Sequence, residues 1–277
     1  MTSRLLVGFD SAWTARNTGG LVGLLFHDDG RYETMGPPIS VNFNDAETII
    51  HGWQAKYPFH KTLVLVDQPL IVKNESGQRE VESIVGSSVS LRYGGMQPAN
   101  NRRMGMFDDD APLWKFAENF GNSLGVGSLG SSCCLIETYP VLTLIALELV
   151  RADIRPNGRL PKYNPARKTF QQNDWDFLCA RIAYFFDKPD VRDVCNWLRN
   201  QSGKKPNKKD QDGLDACICL LVAMHIAEGK SCLQIGNSES GEIVVPYLET
   251  LATELRERCA RINKDPGEWV MTFRLAS

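Results

Sequence analysis

Three short apolar runs that each end in an acidic residue constrain the fold more than any other feature of this sequence. They are RLLVGFD at 4–10, KTLVLVD at 61–67 and SCCLIE at 132–137, ending in Asp10, Asp67 and Glu137. Apolar runs of this length, bounded by turn residues, are typical of buried strands. The carboxyl ends of parallel strands meet at one edge of an α/β sheet, where such folds bind ligands. The pattern therefore predicts that the three acids converge on one site.

The N-terminal third of the chain predicts an antiparallel meander followed by a parallel crossover. Residues 4–10, 21–27 and 31–41 are the three expected strands, with Gly19-Gly20 and Asp29-Gly30 as the turns between them. After the meander, a predicted helix leads to the apolar run at 61–67. A strand–helix–strand connection of this kind implies that the two strands pair in parallel. We therefore predict an α/β fold with a mixed sheet.

The remaining elements are predicted from periodicity and from capping residues. Asn44 is expected to cap the crossover helix, which continues to Tyr57. Residues 71–110 predict an insertion with one short helix near Glu80. Further helices are expected at 111–122, 141–151, 173–186, 190–199, 210–228 and 247–263, and further strands at 242–246 and 269–275.

Length and composition indicate one domain. The chain has 277 residues, 43% of them hydrophobic and 23% charged, as in an ordinary globular protein. No apolar run approaches the roughly 20 residues of a membrane helix, and the first residues lack the features of a secretory signal. We therefore expect a cytoplasmic protein with a single domain over 1–277 and insertions at about 71–131 and 152–209. Its eight cysteines include no C-x-x-C pair, so we expect reduced, buried thiols.

A second group of acids lies in the segment DQDGLDACICLLVA, which starts at Asp210. Asp212 and Asp215 are three residues apart and share one face of a helix. Almost every side chain from Leu214 to Met224 is apolar, which predicts a helix buried nearly all round. A carboxylate there requires a cation, hydrogen-bond donors or a raised pKa. Asp212 can also be explained as a first-turn acid that the helix dipole favours.

Clustered carboxylates indicate a divalent cation. Two carboxylates a few ångströms apart repel each other by about 4 kcal/mol at an effective dielectric near 20. Oxygen ligands without His or Cys suit Mg²⁺ or Mn²⁺ better than zinc. Such a site is suited to two-metal hydrolysis of a phosphodiester bond. The sequence therefore predicts two Mg²⁺ or Mn²⁺ ions held by Asp10, Asp67 and Asp215.

The order of elements, with GFDSAW, VDQPL, ETYP and DGLDACICLLVA, resembles the RNase H-like superfamily. More narrowly, it resembles a branch of predicted nucleases, the domain of unknown function 429, over most of the chain. The resemblance implies a five-stranded mixed sheet of order 3-2-1-4-5, with strand 2 antiparallel, flanked by helices. It also implies a metal-dependent nuclease acting on DNA or RNA. The alternative is a non-catalytic member that binds nucleic acid or a nucleotide.

The same resemblance implies a role for each acid. Asp10 would bridge both ions, and Asp67, Asp212 and Asp215 would take the other acidic positions of the catalytic site. Glu137 belongs to the ETYP element and has two possible roles. It either completes the catalytic cluster or caps the helix that begins near Val141.

Basic residues in three segments are candidates for contact with a phosphate backbone. The net charge of −2 means that binding of a polyanion must be local. The candidates are Arg102 and Arg103, in the insertion, and Lys204, Lys205, Lys208 and Lys209, just before the acidic helix. The basic run at residues 159–168 is a further candidate for the same contact. Basic loops are often only solvated, whereas phosphate contact predicts an affinity that falls steeply with salt. Trp13 either stacks on a base or packs in the core.

Overall fold

The computed structural model describes residues 3–57, 61–92, 96–152 and 158–275, without the side chains of residues 87–92. Its larger sheet has six strands: β1 (Arg4–Asp10), β2 (Gly19–Phe26), β3 (Tyr32–Thr34), β4 (Ile39–Val41), β5 (Lys61–Val66) and β6 (Cys133–Glu137). Their order is β3-β2-β1-β5-β6, and β4 also pairs with β2. The predicted α/β class, with a mixed sheet flanked by helices, is confirmed.

Pairing of the strands places the acidic ends at one edge. β1 is antiparallel to β2, whereas β1, β5 and β6 run parallel. In the register of these strands Phe9 lies opposite Val66, and Val66 lies opposite Glu137. The backbone N–H of Asp67 donates to the carbonyl of Phe9 at 2.9 Å, so Asp67 directly follows the paired region.

The meander differs from the prediction in two places. The single strand expected at 31–41 is two short strands, because Gly36 has a φ of +109° and two prolines without N–H groups follow it. Gly19 and Gly20 are not turn residues but the first residues of β2.

Two layers of helices cover the larger sheet. One face carries α1 (Phe43–Lys56) and α3 (Pro112–Asn119), whose apolar side chains pack with alternate residues of β1. The other face carries α5 (Gln172–Phe185), α6 (Arg192–Gln201) and α7 (Lys208–Ala227). The cap of α1 is Asn42 rather than Asn44, since its side chain accepts from the backbone of Asp45.

A second sheet lies beside the first. It contains β7 (Cys232–Asn237), β8 (Gly241–Pro246) and β9 (Val270–Phe273) in the antiparallel order β8-β7-β9. It packs in a common core with α2 (Glu80–Arg92), α4 (Pro140–Ala146) and α8 (Glu249–Arg261), and α9 (Pro266–Trp269) precedes β9. The strands predicted at 242–246 and 269–275 are confirmed, whereas β7 was not predicted.

Two helices differ from the prediction in length. The short helix predicted near Glu80 is α2, which is longer than expected, with 13 residues. α4 stops at Ala146, well before residue 151, because Glu148 adopts a left-handed φ of +55° that ends the helix. Parts of the predicted insertions, 93–95 and 153–157, lie outside the described residues. In the described ranges, no helix combines the length and apolar content that crossing a membrane requires.

Candidate carboxylate site

Four aspartates meet at the carboxyl edge of the larger sheet. Asp10 ends β1, Asp67 follows β5, and Asp212 and Asp215 lie in the first half of α7. Asp10, Asp212 and Asp215 are almost completely buried, and Asp67 is half-buried. Segments far apart in sequence therefore bring four carboxylates close enough for their charges to interact.

Close packing of α7 against the sheet produces this convergence. A Cβ atom on Gly8 of β1 would lie 2.1 Å from the carbonyl oxygen of Ala216. A Cβ atom on Gly20 of β2 would lie 2.2 Å from the carbonyl oxygen of Asp212. Only glycine permits an approach this close, so these two positions allow α7 to lie directly on the strands.

Asp10 and Asp67 have carboxyl groups that are difficult to ionise. Burial raises the pKa of Asp10 well above its usual range, and the charges of Asp215, Asp67 and Asp212 raise it further. Burial also raises the pKa of Asp67, with added repulsion from Asp215 and Glu137. Mutual repulsion of this kind is what a bound cation would relieve.

Two hydrogen-bond donors hold Asp215. The hydroxyl of Tyr163 donates to Oδ1 at 2.7 Å, and the amide of Gln211 donates to Oδ2 at 2.5 Å. Burial raises the pKa of Asp215 to about 6, although both hydrogen bonds favour the ionised form. Neither donor was predicted as a site residue. Gln211 lies four residues before Asp215 on the same helix face, so its role was detectable from spacing, whereas that of Tyr163 was not.

Lys208 forms an ion pair with Asp212, one helical turn away. Its amine also donates to the side chain of Gln211 at 3.0 Å. Burial opposes the charge on this amine, but the hydrogen bond to Asp212 and the charge of Asp10 produce a net rise in the pKa of Lys208. Lys208 was predicted to contact phosphate, and the structure places it as a counter-ion of Asp212 at the solvent-exposed side of the acidic cluster.

The other three aspartates differ from Asp212 in their ion pairing. Among the described residues, no Lys or Arg forms an ion pair with Asp10, Asp67 or Asp215. Equally, no group of three or more Asp, Glu, His or Cys side chains in the described ranges is arranged to hold a metal ion. The oxygens of Asp215 are engaged by two donors and Asp212 by Lys208. A metal bound by Asp212 or Asp215 would therefore share the carboxylate lone pairs with these contacts or replace them.

Glu137 has a structural partner. Arg79, itself almost completely buried, donates to both carboxylate oxygens at 2.6 and 2.8 Å, and the N–H of Leu70 donates at 3.2 Å. Arg79 also pairs with buried Glu82 at 2.9 Å. The capping interpretation of Glu137 is wrong, because α4 is preceded by Tyr139 and its N-terminus has no side-chain cap. Its place in the catalytic cluster stays a prediction.

A cavity of about 540 Å³ opens beside the aspartates. Asp67, Asp215, Gln211 and Tyr163 line it, and Glu137 reaches its wall. None of the six predicted phosphate contacts lines this cavity: Arg102, Arg103, Lys204, Lys205, Lys208 and Lys209. Of these, Lys204, Lys205 and Lys209 are exposed near the start of α7, and Arg103 donates to the side chain of Gln97 at 3.1 Å.

Trp13 lies on the wall of the same cavity in a strained backbone conformation. Its φ is +59°, which costs a bulky residue roughly 1–3 kcal/mol. The indole packs edge-on against Phe107 at 6.0 Å between ring centroids and is only half-buried. Both interpretations of Trp13 are thus compatible with its position, since one part of the ring packs and another part faces the cavity.

Comparison with known proteins finds no matching family model, no similar curated protein and no similar solved structure. The case for a function therefore depends on the geometry and chemistry of the site.

Proposed function

We propose that this protein hydrolyses phosphodiester bonds of nucleic acid with Mg²⁺ or Mn²⁺, using two ions. The observation that carries the proposal is the convergence of Asp10, Asp67 and Asp215, whose burial and mutual repulsion raise their pKa values. Carboxyl groups whose pKa values are perturbed by burial and by neighbouring charge, in or beside a cleft, are characteristic of functional sites.

The strand order supports the RNase H-like interpretation of this fold. With the short β4 set aside, the order β3-β2-β1-β5-β6 and the antiparallel β2 correspond to the order 3-2-1-4-5. The aspartates then occupy the ends of the first and fourth strands and the late helix, as the resemblance implies.

The chemistry of the donors fits the proposed ions. Asp10, Asp67 and Asp215 offer only carboxylate oxygens, which Mg²⁺ and Mn²⁺ prefer. Asp212 becomes available if Lys208 releases it. When bound, such ions activate water and stabilise the leaving oxygen of a phosphodiester.

The protein's own residues position these groups. Tyr163 and Gln211 hold the Asp215 carboxylate in one orientation. Lys208 supplies positive charge to the cluster through its ion pair with Asp212, and Asp10 is almost completely buried. The cavity provides space for a segment of substrate, and Trp13 provides an aromatic wall.

The test is cleavage of single- and double-stranded DNA and RNA by purified protein with Mg²⁺ or Mn²⁺. We expect cleavage that a chelator abolishes and that Asp10→Asn and Asp215→Asn each reduce at least about 100-fold, since metal catalysis supplies several kcal/mol. Asp190→Asn, at an exposed position away from the cavity, is the matched control. Cleavage that is equal in wild type and the Asp10→Asn variant would overturn the proposal.

A second candidate function is binding of nucleic acid or a nucleotide without cleavage. The observation that favours it is the lack of a metal-coordinating arrangement among the described residues, together with the two donors on Asp215. The same substrate panel separates the two functions, because this candidate predicts binding that is unaccompanied by cleavage under every metal condition.

A further inference from the structure

We propose that Lys162 and Arg167 are positioning residues that bind the phosphate groups of the ligand in the cavity beside the aspartates. This inference rests on the proposed function and deepens it, because it assigns the anion-binding side of the same site. Both residues belong to the loop 158–171, which precedes α5. Both lie in the basic run 159–168, one of the candidate segments for phosphate contact, although neither is among the six residues named individually.

The first support is their place in the cavity. Lys162 and Arg167 line the same space as Asp67 and Asp215. An anionic phosphate cannot approach a cluster of carboxylates without positive charge nearby, because like charges at short range repel strongly. Within the described part of the chain these are the two basic side chains on the cavity wall. They therefore supply charge where a phosphate would need it.

The second support is that both side chains are available. No carboxylate among the described residues forms an ion pair with Lys162 or Arg167. The neighbouring basic residues differ, since Arg159 and Arg151 both pair with Asp174, at 2.5 and 3.3 Å. Of the four basic residues in the run 159–168, Arg159 thus anchors the loop, Lys162 and Arg167 line the cavity, and Lys168 does neither.

The third support is that the loop is held in place on both sides. The buried carboxylate of Asp174 accepts from the backbone N–H of Lys162 at 2.8 Å, and the carbonyl of Lys162 accepts from Gln171 at 2.8 Å. The backbone N–H of Arg167 donates to the carbonyl of Asn164 at 3.1 Å. A fixed backbone reduces the entropy lost when a side chain closes on a ligand.

Tyr163 connects this loop directly to the acidic cluster. It follows Lys162 in the chain, and its hydroxyl donates to Asp215. The residue that holds the aspartate and the residue that would hold the phosphate are therefore covalent neighbours. Arg167 adds a planar guanidinium, which binds two phosphate oxygens at once.

The size of the cavity is consistent with one phosphorylated unit at a time. About 540 Å³ lies within the range of small-ligand pockets and is too small for a duplex. Apolar side chains, among them Met106 and Trp13, line it together with the charged groups. The arrangement suits a single nucleotide of a strand, with its planar base against apolar groups and its phosphate against the two cations.

The test measures binding separately from cleavage. In an Asp10→Asn background with Mg²⁺ present, a labelled single-stranded DNA and the RNA of the same sequence are titrated by fluorescence anisotropy over a range of salt. We expect Lys162→Gln and Arg167→Gln each to raise Kd about tenfold and to lower the log–log salt slope by about one. Lys168→Gln is the matched control, because Lys168 is exposed on the same loop but does not line the cavity.

The same substitutions in the otherwise unchanged protein provide a second readout. We expect them to raise KM more than they lower kcat, and Lys168→Gln to change neither. Effects on Kd no larger than those of Lys168→Gln, or no oligonucleotide binding at all, would overturn the inference. If the wild type cleaves no substrate but Lys162→Gln and Arg167→Gln selectively weaken oligonucleotide binding, the phosphate site is supported and the proposed nuclease activity is rejected.

Discussion

At the scale of single residues, the four aspartates are stabilised in different ways. Asp212 has a cation, Lys208, and Asp215 has two neutral donors, Tyr163 and Gln211. Asp10 has no ion pair with a described residue, and burial raises its pKa. Without a metal ion, the aspartates of the cluster thus repel one another near neutral pH. The stability of the folded protein should therefore depend on pH and on added cations.

The pH dependence of stability follows from Asp215. Its pKa rises from 3.8 to about 6 on folding, so the unfolded chain loses this proton first as the pH increases. The contribution of Asp215 to the free energy of unfolding therefore falls between about pH 4 and pH 6, by up to about 3 kcal/mol. We expect the stability of metal-free wild type relative to Asp215→Asn to decrease over this interval in denaturant titrations. A difference that stays constant with pH would contradict this prediction.

Replacement of Lys208 should increase the thermal stabilisation of the protein by a bound metal ion. Lys208→Gln frees Asp212 and leaves the carboxylates without their nearest positive charge. We expect a lower Tm in the absence of metal and a larger rise in Tm with millimolar Mg²⁺ or Mn²⁺ than in wild type, because ligands that bind the native state stabilise it. Thermal unfolding with and without metal measures both. Lys209→Gln is the control, and equal metal shifts in all three proteins would count against the cation's role.

At the scale of elements, the contact of α7 with β1 and β2 positions the site. The helix begins with a capping box, in which Asn207 and Asp210 satisfy each other's backbone N–H groups. The next turns carry Asp212 and Asp215, and Gly8 lies beneath Ala216. Any outward shift of the helix would therefore separate its acids from those on the strands.

Gly8→Ala tests this contact. The new Cβ would lie 2.1 Å from a backbone oxygen of α7, so the helix or the strand must move. We expect a loss of stability of about 1–3 kcal/mol or more, as for other overpacked cores. Denaturant unfolding measures this loss.

Gly52→Ala, within α1, is the control. Nothing lies within 4 Å of its new Cβ, and the higher helix propensity of alanine predicts a gain in stability of up to about 1 kcal/mol. Equal stability of Gly8→Ala and wild type would mean that the contact is loose.

At the scale of the whole molecule, buried polar contacts connect the two sheets and the insertion. Arg79 connects the region before α2 to the end of β6 through Glu137. Thr138 donates to the carbonyl of Val244 in β8 at 2.7 Å. The segment at the end of β6, which contributes Glu137 and Thr138 to the cavity wall, is therefore held by contacts to the insertion and to the second sheet.

Arg79→Met should be strongly destabilising. It removes the only basic partner recorded for Glu82 and Glu137 within the described residues and leaves two carboxylates buried. Broken buried ion pairs typically cost about 3–5 kcal/mol. Chemical denaturation at neutral pH measures the loss. Lys115→Gln removes a fully exposed ion pair and should change stability little. A similarly small effect of Arg79→Met would show that the buried pair contributes nothing to the fold.

Local sequence patterns determined much of the fold. β1, β5 and β6 were predicted as apolar runs, and the burial of α7 from the nearly unbroken apolar segment after Asp215. β7 was not predicted, because its residues lie in a short run without clear alternation and become a strand only through pairing with β8 and β9. Strand pairing is a non-local interaction, which local propensity does not encode.

Local patterns in the chain were sufficient to predict that acids end three strands and lie on a buried helix, because apolar periodicity and spacing are local properties. The pairing of Lys208 with Asp212 was not predicted, although their spacing of four residues permits it. It took the folded chain to reveal that Arg79 neutralises Glu137, that Tyr163 holds Asp215, and that Lys162 lines the cavity. The first two contacts join residues more than 50 positions apart in the chain, and the third depends on how a loop packs. Local sequence patterns do not encode such contacts, because the groups come within reach of each other only when the chain folds.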